Sequence, residues 1–571
     1  MRSGWWQGVW NVLNVAPEGE CNIAITANRT PQVLIVGAGP TGLALGIGLR
    51  RQGIDCCIID RLSEPSPWSR ALGLHARTLE IFAALEVLAP IRKASRTLRA
   101  VSVYGDKGFL FELDLTSLDA PYPWVLSCPQ SEVEKALTER YRALGGELVR
   151  GAELLDFTQN GEGVRARVRQ GTEVTTLQCG LMVGADGVGS TVREQLGIGF
   201  KGVDYREHFL LADVDWQAPW RHDSSHGFLQ EDGLLIALPL PTGWRLIMAQ
   251  EEDWGEGAPD LQPFRDRLAA MLGDIPELGE PRWISRFTVQ RRLAHHYRRN
   301  RVFLAGDAAH VQSPLGAQGM NTGLADAFNL GWKLAFYLKG YGSGMLLDSY
   351  EQERKPVAEK MLHGVDLLSR ASLVKLPMLR RTRDSLLKLA GGRPGLSRRL
   401  LRTASQLDVH YRQSPLVSCG PEAELGWRHR GPLPGDRLPD AALCSVRTGH
   451  PHQLHDLLRK PVHHLLLQLG EHPEHNERLV LFALSDRLGQ EYRERVHLTV
   501  IVAPHTPQDE VPHEGTTRIW QDHQGEFAQA FGEGPRMWLM RPDGHLAYRA
   551  PVSNADHLLA YLDSVLGRVT G

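Results

Sequence analysis

The sequence has 571 residues, 42% of them hydrophobic and 23% charged, which is ordinary for a globular protein but too long for a single core, so two or three domains are expected. Its formal net charge of -2 gives no long-range reason to expect nucleic acid or an acidic membrane as a partner. No apolar run approaches the roughly 20 residues of a bilayer span, and seven scattered cysteines without a CxxC form no disulfide framework, which together predict a cytoplasmic protein.

In chain order, residues 1–30 hold three tryptophans without a continuous apolar core or a basic cluster, and read as an irregular extension or a start-site artefact. From about residue 31 a strand (Val33 to Val36), a glycine turn, a helix and a second strand (Cys56 to Asp60) form a βαβ unit, followed by mixed α/β text to residue 204. Adjacent Cys56 and Cys57 fall in that second strand as small buried side chains. Over 205–290 the stretches FLLADVDW, HGFLQ, LLIALPLP and WRLIMAQ predict an antiparallel sheet inserted in the first domain. Residues 291–410 return to the first domain through the strand RVFLAG, a Pro/Gly loop, a helix over about 321–339 and a basic, leucine-rich helical stretch. The Pro/Gly-dense GPLPGDRLPDA marks entry to a separate small α/β domain over 430–571. There RLVLFAL, HLTVIVA and RMWLMRPDGHLAYRA read as strands, and ADHLLAYLDSVLGRV as a closing helix.

The first turn is Gly37-Ala-Gly39-Pro40-Thr41-Gly42. Between a strand and a helix, three such glycines permit a tight turn, close approach of backbone to a pyrophosphate, and close helix–strand packing. The helix N-terminus offers free N–H groups to the phosphates. An acid about 20 positions on completes the fingerprint by taking a ribose hydroxyl. Asp60, next to Arg61, stands at the end of the second strand, 23 residues after Gly37.

Two later stretches repeat the pattern of a strand delivering an aspartate: LMVGADGVGSTVRE, with Asp186 and Gly187, and RVFLAGDAAHVQSPLGAQGMNTGLADAFNL, with Asp307. Taken in order, the glycine turn, GADGVGS and GDAAHVQSPLGAQGMN resemble the FAD-dependent aromatic hydroxylases of the para-hydroxybenzoate and phenol hydroxylase group, over about residues 31–360. The fold implied is α/β: a Rossmann-like FAD-binding domain, an inserted antiparallel-sheet substrate domain and a C-terminal thioredoxin-like domain.

The resemblance assigns roles residue by residue. Asp307 takes a ribityl hydroxyl of FAD; Asp186 and Gly187 lie near the pyrophosphate; Arg70, Arg77 and Gln130 contact FAD; Pro314 and the loop from Gly316 to Asn321 lie beside the flavin ring. The backbone N–H groups of Gly319, Met320 and Asn321, opening a helix, suit the negative charge of a reduced flavin. As a loop with Asn321 capping the helix, the same residues have a purely structural reading. His310 reads equally as an acid–base group or as a histidine packed beside the cofactor.

Side chains do not activate dioxygen, so a cofactor carries that step. The implied reaction is hydroxylation of a phenolic or polycyclic aromatic substrate through a flavin hydroperoxide, with NADPH or NADH as transient reductant. No second nucleotide fingerprint follows Asp60. Phe228, Leu235, Ile236, Leu238 and Trp244 are candidate substrate walls or plain core. Leu72 stands where simple phenol hydroxylases carry an acid, so no catalytic base is identified, with His75 a possible substitute and a bulky, acidic phenol the expected substrate. A Baeyer–Villiger oxygenation or an oxidative dehalogenation on the same scaffold stays open, as does a non-catalytic nucleotide-binding module. The chain is expected as a monomer or homodimer.

GDRLPDA and LMRPDGHLAYRA carry the thioredoxin-like resemblance, but Cys444 is the sole cysteine after the linker, so thiol redox chemistry is not expected. Seven histidines between His450 and His475 share no single helical face and read as a solvated polar loop, with no metal site.

Overall fold

The computed structural model describes residues 30–66, 72–231, 233–250, 257–313, 316–374, 376–420, 431–504, 506 and 518–567, with the side chains of 205–207 and 289 excepted. Residues 1–29, Arg70 and Pro314 therefore lie outside the described residues.

Three sheets carry the architecture. The first has six strands in the order Arg298–Arg299, Val302–Leu304, Leu181–Gly184, Val33–Val36, Cys56–Asp60 and Glu147–Arg150. All neighbours are parallel except the first pair. Its central strands are buried throughout, which is why they read as unbroken apolar runs. Two helices, Pro40–Arg50 and Gln318–Leu338, pack against each other beside it. They approach closely because Gly323 stands where a Cβ would meet the Thr41 hydroxyl at 2.4 Å.

The second sheet has eight strands: His310–Val311, Trp283–Ala294, Phe200–Val214, Trp244–Gln250, Gly233–Pro239, Ser224–Gln230, Ala100–Gly105 and Gly108–Asp114. It is therefore not confined to 205–290. Its long strands begin at Phe200 and end at Ala294, and a hairpin from residues 100–114 extends it through one parallel pairing with Ser224–Gln230. Strand alternation splits its side chains. Phe228, Leu235, Trp244 and Leu246 pack on one face under the helix Gln262–Leu272. Leu229, Leu234 and Ile247 lie on the other.

The third sheet runs in the order Ser418–Cys419, Leu546–Pro551, Arg536–Met540, His463–Gln468, Val496–Val502, Arg518–Gln521, Ala442–Ser445 and Pro451–Gln453. RLVLFAL, expected as a strand, lies inside the helix His475–Glu491. A capping box between Glu474 and Glu477 starts that helix, and Leu481, Leu484 and Leu488 are its buried stripe. His463 and His464, expected in a solvated loop, are buried in a central strand instead, and burial holds both rings down to about 3. Among the described residues, no group of three or more His, Cys, Asp or Glu is placed to hold a metal ion.

This sheet is docked on the first domain rather than tethered to it. Trp332, Phe336 and Leu346 belong to its apolar core. Beside them Glu353, fully buried, receives Lys333 Nζ at 2.6 Å and Arg541 at 2.7 and 2.8 Å. Arg541 also pairs with Asp543 at 2.6 Å, and Asn329 donates to both Glu353 and Asp543.

Candidate functional site

A cavity of about 850 Å³ opens where the carboxyl ends of the parallel strands meet the face of the second sheet opposite the helix Gln262–Leu272. Gly39, Pro40, Thr41, Gly187, Asp307 and the 316–320 turn line its polar part; Val103, Leu229, Leu234, Ile236, Leu238 and Ile247 line its apolar part. The crevice beyond strand C-termini is where open α/β sheets bind ligands.

The glycine turn shows which glycines the protein itself needs. Gly37 has φ +109° and a Cβ there would meet the Ala185 carbonyl at 2.2 Å, while one at Gly42 would meet the Gly37 carbonyl at 2.0 Å. Gly39 is different, since a Cβ there would meet nothing within 4 Å. It leaves backbone bare at the cavity wall. Gly319, at the start of the helix Gln318–Leu338, is open in the same way; Gly187 also has open space, but its φ of +80° already favours glycine.

Asp60 closes the turn from behind. One carboxylate oxygen accepts from the Ala38 N–H at 2.7 Å and the other from the Leu62 N–H at 2.8 Å. Both oxygens thus hold protein backbone, and Asp60 does not line the cavity; Arg61 beside it is exposed. Asp186 accepts from the Val192 N–H at 3.1 Å through one oxygen, and its other oxygen is buried with no partner among the described residues. Burial pushes its carboxyl up.

Asp307 reaches into the cavity from a short turn, Gly306–Ala308. It is exposed to the cavity space while lying deep in the molecule, and burial pushes its carboxyl up against the pull of His310. The turn is held by Asp326, which sequence reasoning missed. Asp326 is fully buried, accepts from the Gly306 N–H at 3.1 Å, lies 2.6 Å from His310 Nε2, and pairs with Arg354 Nε at 2.7 Å. His310 is thus a packed positioning group. The i, i+16 link from His310 to Asp326 joins a strand to a helix, and no local pattern announces it.

Asn321 neither caps the helix nor lines the cavity. The helix starts at Gln318, with Ala317 at its cap in a left-handed conformation. The Asn321 amide instead accepts from the His75 N–H at 3.0 Å and the Thr78 hydroxyl at 2.6 Å, and donates to the Gly73 carbonyl at 2.8 Å. It laces the helix start to residues 73–78.

The structure separates other expected site residues. Gln130, Leu72, His75, Leu238 and Met320 line the cavity. Arg77 does not: its guanidinium donates to Glu80 at 2.8 Å and to the Asp543 carbonyl at 2.6 Å, joining the third sheet. Phe228 and Trp244 point to the opposite face of the second sheet, in the core under the helix Gln262–Leu272. Register explains it. Phe228 pairs with Leu235 and Trp244 with Pro239, so both share the odd-numbered face of Gly233–Pro239, whereas Ile236 and Leu238 take the even-numbered face. That parity was legible; the contributions of Val101, Val103 and Phe111, and of Leu368 and Leu387 from two helices, were not. His75 Nε2 meets the Gly316 carbonyl at 2.8 Å, and Nδ1 is enclosed without a partner. Burial lowers the ring's pKa.

Open glycines before two helices, a partner-free carboxylate oxygen and a carboxylate facing a cavity fit a dinucleotide with hydroxyls and a pyrophosphate. The comparisons agree. The FAD binding domain model matches residues 30–365. Pentachlorophenol 4-monooxygenase of Sphingobium chlorophenolicum is 33% identical, over 94% of this chain and 97% of that protein. 6-Methylpretetramide 4-monooxygenase of Streptomyces rimosus is 33% identical over 94% and 93%. The solved anhydrotetracycline hydroxylase OxyS from Streptomyces rimosus superposes with a TM-score of 0.72 at 30% identity, over 94% of this chain and 99% of that one. Aklavinone-11 hydroxylase, solved with FAD and aklavinone, gives a TM-score of 0.71 at 26% identity, over 95% and 100%. A dinucleotide crevice opening onto an apolar sheet face, in a chain matched over nearly its whole length by such enzymes, belongs to the FAD-binding-domain family as a flavin-dependent aromatic monooxygenase.

Proposed function

We propose that the enzyme hydroxylates a polycyclic or otherwise bulky phenol, held in the apolar part of the 850 Å³ cavity, with NADPH or NADH as reductant. The observation that carries this reading is the union in one cavity of a glycine-lined polar part and a broad apolar wall. Relatives named for tetracycline-type substrates support the size class. Bound FAD supplies the dioxygen chemistry that side chains lack.

The remaining tasks fall to the chain. Asp307 accepts a hydroxyl of the cofactor's polyol, and Gly39 and Gly187 let backbone approach phosphate oxygens. The start of the helix Gln318–Leu338, with the Gly319 and Met320 amides, sets a positive dipole end toward negative charge on the ring system. Gln130 and Leu72 border the same space. Leu229, Leu234, Ile236, Leu238 and Ile247 shed water around the ring to be oxidised and hold it in place. No titratable side chain is assigned as base; with His75 turned to the Gly316 carbonyl, the substrate's own acidity does that work.

We further infer that residues 430–571 are a thioredoxin-like domain without redox chemistry. The βαβ unit of His463–Gln468, His475–Glu491 and Val496–Val502, followed by an antiparallel pair and the helix Ala555–Leu566, supports the likeness. Cys444 alone leaves it without a dithiol. Residues 205–290 supply most of the substrate sheet.

The test is spectroscopic and catalytic. The purified protein should be yellow, and a panel of mono- to polycyclic phenols should include some that speed NADPH oxidation while gaining one oxygen atom. A protein that takes up no FAD, or whose NADPH oxidation no phenol stimulates, overturns the reading.

A further inference from the structure

One wall of the cavity is also an outer surface. The helix Pro377–Gly391 packs on the strand Gly108–Asp114, and its Leu387 lines the cavity. Its inward stripe runs through buried Arg380 and Arg383 to half-buried Leu387, at three- and four-residue steps. The opposite side should then be polar. Instead Met378 is 79% exposed, Leu379 54%, Leu386 60% and Leu389 55%. On the next helix, Pro394–Ala404, Leu396 and Leu400 are exposed as well.

This apolar ridge is set in positive charge. Residues 377–404 hold eight basic side chains against one acid, Asp384, in a chain whose formal net charge is -2. The two buried arginines are neutralised inside: Arg380 by Asp106 at 2.9 Å and Glu231 at 3.0 Å, Arg383 by Asp384 at 2.8 Å. Arg381, Lys388, Arg393, Arg398 and Arg399 face outward around the leucines.

We propose that this helical pair docks on the surface of an anionic lipid bilayer. Exposed leucine and methionine rimmed by Lys and Arg is the chemistry of interfacial helices, where apolar burial adds to attraction for anionic headgroups. A second copy meeting the same face about a two-fold axis sets cation against cation, which disfavours it. No helix among the described residues is long and apolar enough to cross a membrane, so the contact is superficial. The docked helix stands between lipid and the apolar chamber, with Leu386 and Leu389 on one side and Leu387 on the other, so a lipid-dissolved aromatic substrate lies one helix away from its site.

Flotation of the full-length, FAD-loaded protein with vesicles of phosphatidylcholine alone, or mixed with phosphatidylglycerol, tests this. Binding is expected to the mixed vesicles only, and to weaken with added salt. The double variant Arg398→Glu/Arg399→Glu should lose more than about tenfold in partition, and Leu386→Ser/Leu389→Ser should also bind less, both with unchanged flavin content and thermal midpoint. Absence of flotation, equal flotation on both vesicles, or unchanged binding of both variants overturns the proposal. So does a dimer in sedimentation velocity that these variants dissolve, or capture of an acidic protein in place of lipid.

Discussion

The cavity and the seam beneath the third sheet are built from the same residue types and treat them in opposite ways. At the seam the buried carboxylates hold cations of the protein itself: Glu353 holds Lys333 and Arg541, and Glu80 holds Arg437 and Arg77. In the cavity, Asp307 has no hydrogen bond to a described residue and Gly39 borders open space, while beside it one buried oxygen of Asp186 is unpartnered. A carboxylate deep in the molecule without a protein partner is costly, and one that also faces a cavity suits a ligand that supplies the missing hydrogen bonds. Charge marks a fold in one place and a binding site in the other, and only the partner list tells them apart.

Mutation should split the two regions by readout. The largest effect belongs to the seam: Glu353→Ala strands Lys333 as a buried cation and leaves Arg541 with Asp543 alone, and denaturant unfolding should show a loss of about 3–5 kcal/mol. Core truncation comes next. Phe228→Ala should cost about 3 kcal/mol or more of stability; Leu238→Ala, on the cavity face, should cost less and instead raise KM for a bulky phenol.

Asp307→Ala should leave the thermal midpoint of the flavin-free protein nearly unchanged while weakening FAD binding by roughly tenfold or more, read by fluorescence titration. A fall in flavin-free stability instead would make Asp307 a structural residue. Gly39→Ala should be the mildest, with stability within about 0.5 kcal/mol and a measurable loss of FAD affinity.

The seam also has a pH signature. Burial pushes the Glu80 carboxyl up, but Arg437, His455 and Arg77 more than reverse it and hold it at about 2, below its ordinary 4.5. Because the folded value is the lower one, the stabilisation is present above 4.5 and drains away as pH falls from there toward 2. Glu80→Gln should flatten that part of the stability curve; an unchanged slope would remove Glu80 from the seam's account.

Much of the first domain was legible in the sequence because its signals are local. The glycine turn, GADGVGS and GDAAH each join a strand to a tight turn within a dozen residues, and the structure sets them around one cavity. What escaped was nonlocal. The 100–114 hairpin joins the second sheet by a parallel pairing with Ser224–Gln230 that no nearby turn predicts. RLVLFAL is apolar enough for a strand, and its helical nature lies in flanking Glu474 and Glu477. The resemblance gave Arg77 as a cofactor contact and Asn321 as part of the loop beside the flavin ring; that the Arg77 side chain reaches Asp543 and the Asn321 amide the 73–78 segment depends on parts of the chain far apart in sequence.

The helix Gln318–Leu338 has one consequence for how the molecule tolerates shortening. Its first turn borders the flavin crevice, while Asn329, Trp332 and Lys333 a few turns later lean on Glu353 and Asp543. Cutting the chain ahead of residue 431 would take Asp543 from Asn329 and Trp332 on the same rod that supports the cofactor's ring, and Arg541 from Glu353 beside it. The terminal sheet, far from any chemistry, thus works as a keystone: its removal should be noticed first as pale protein.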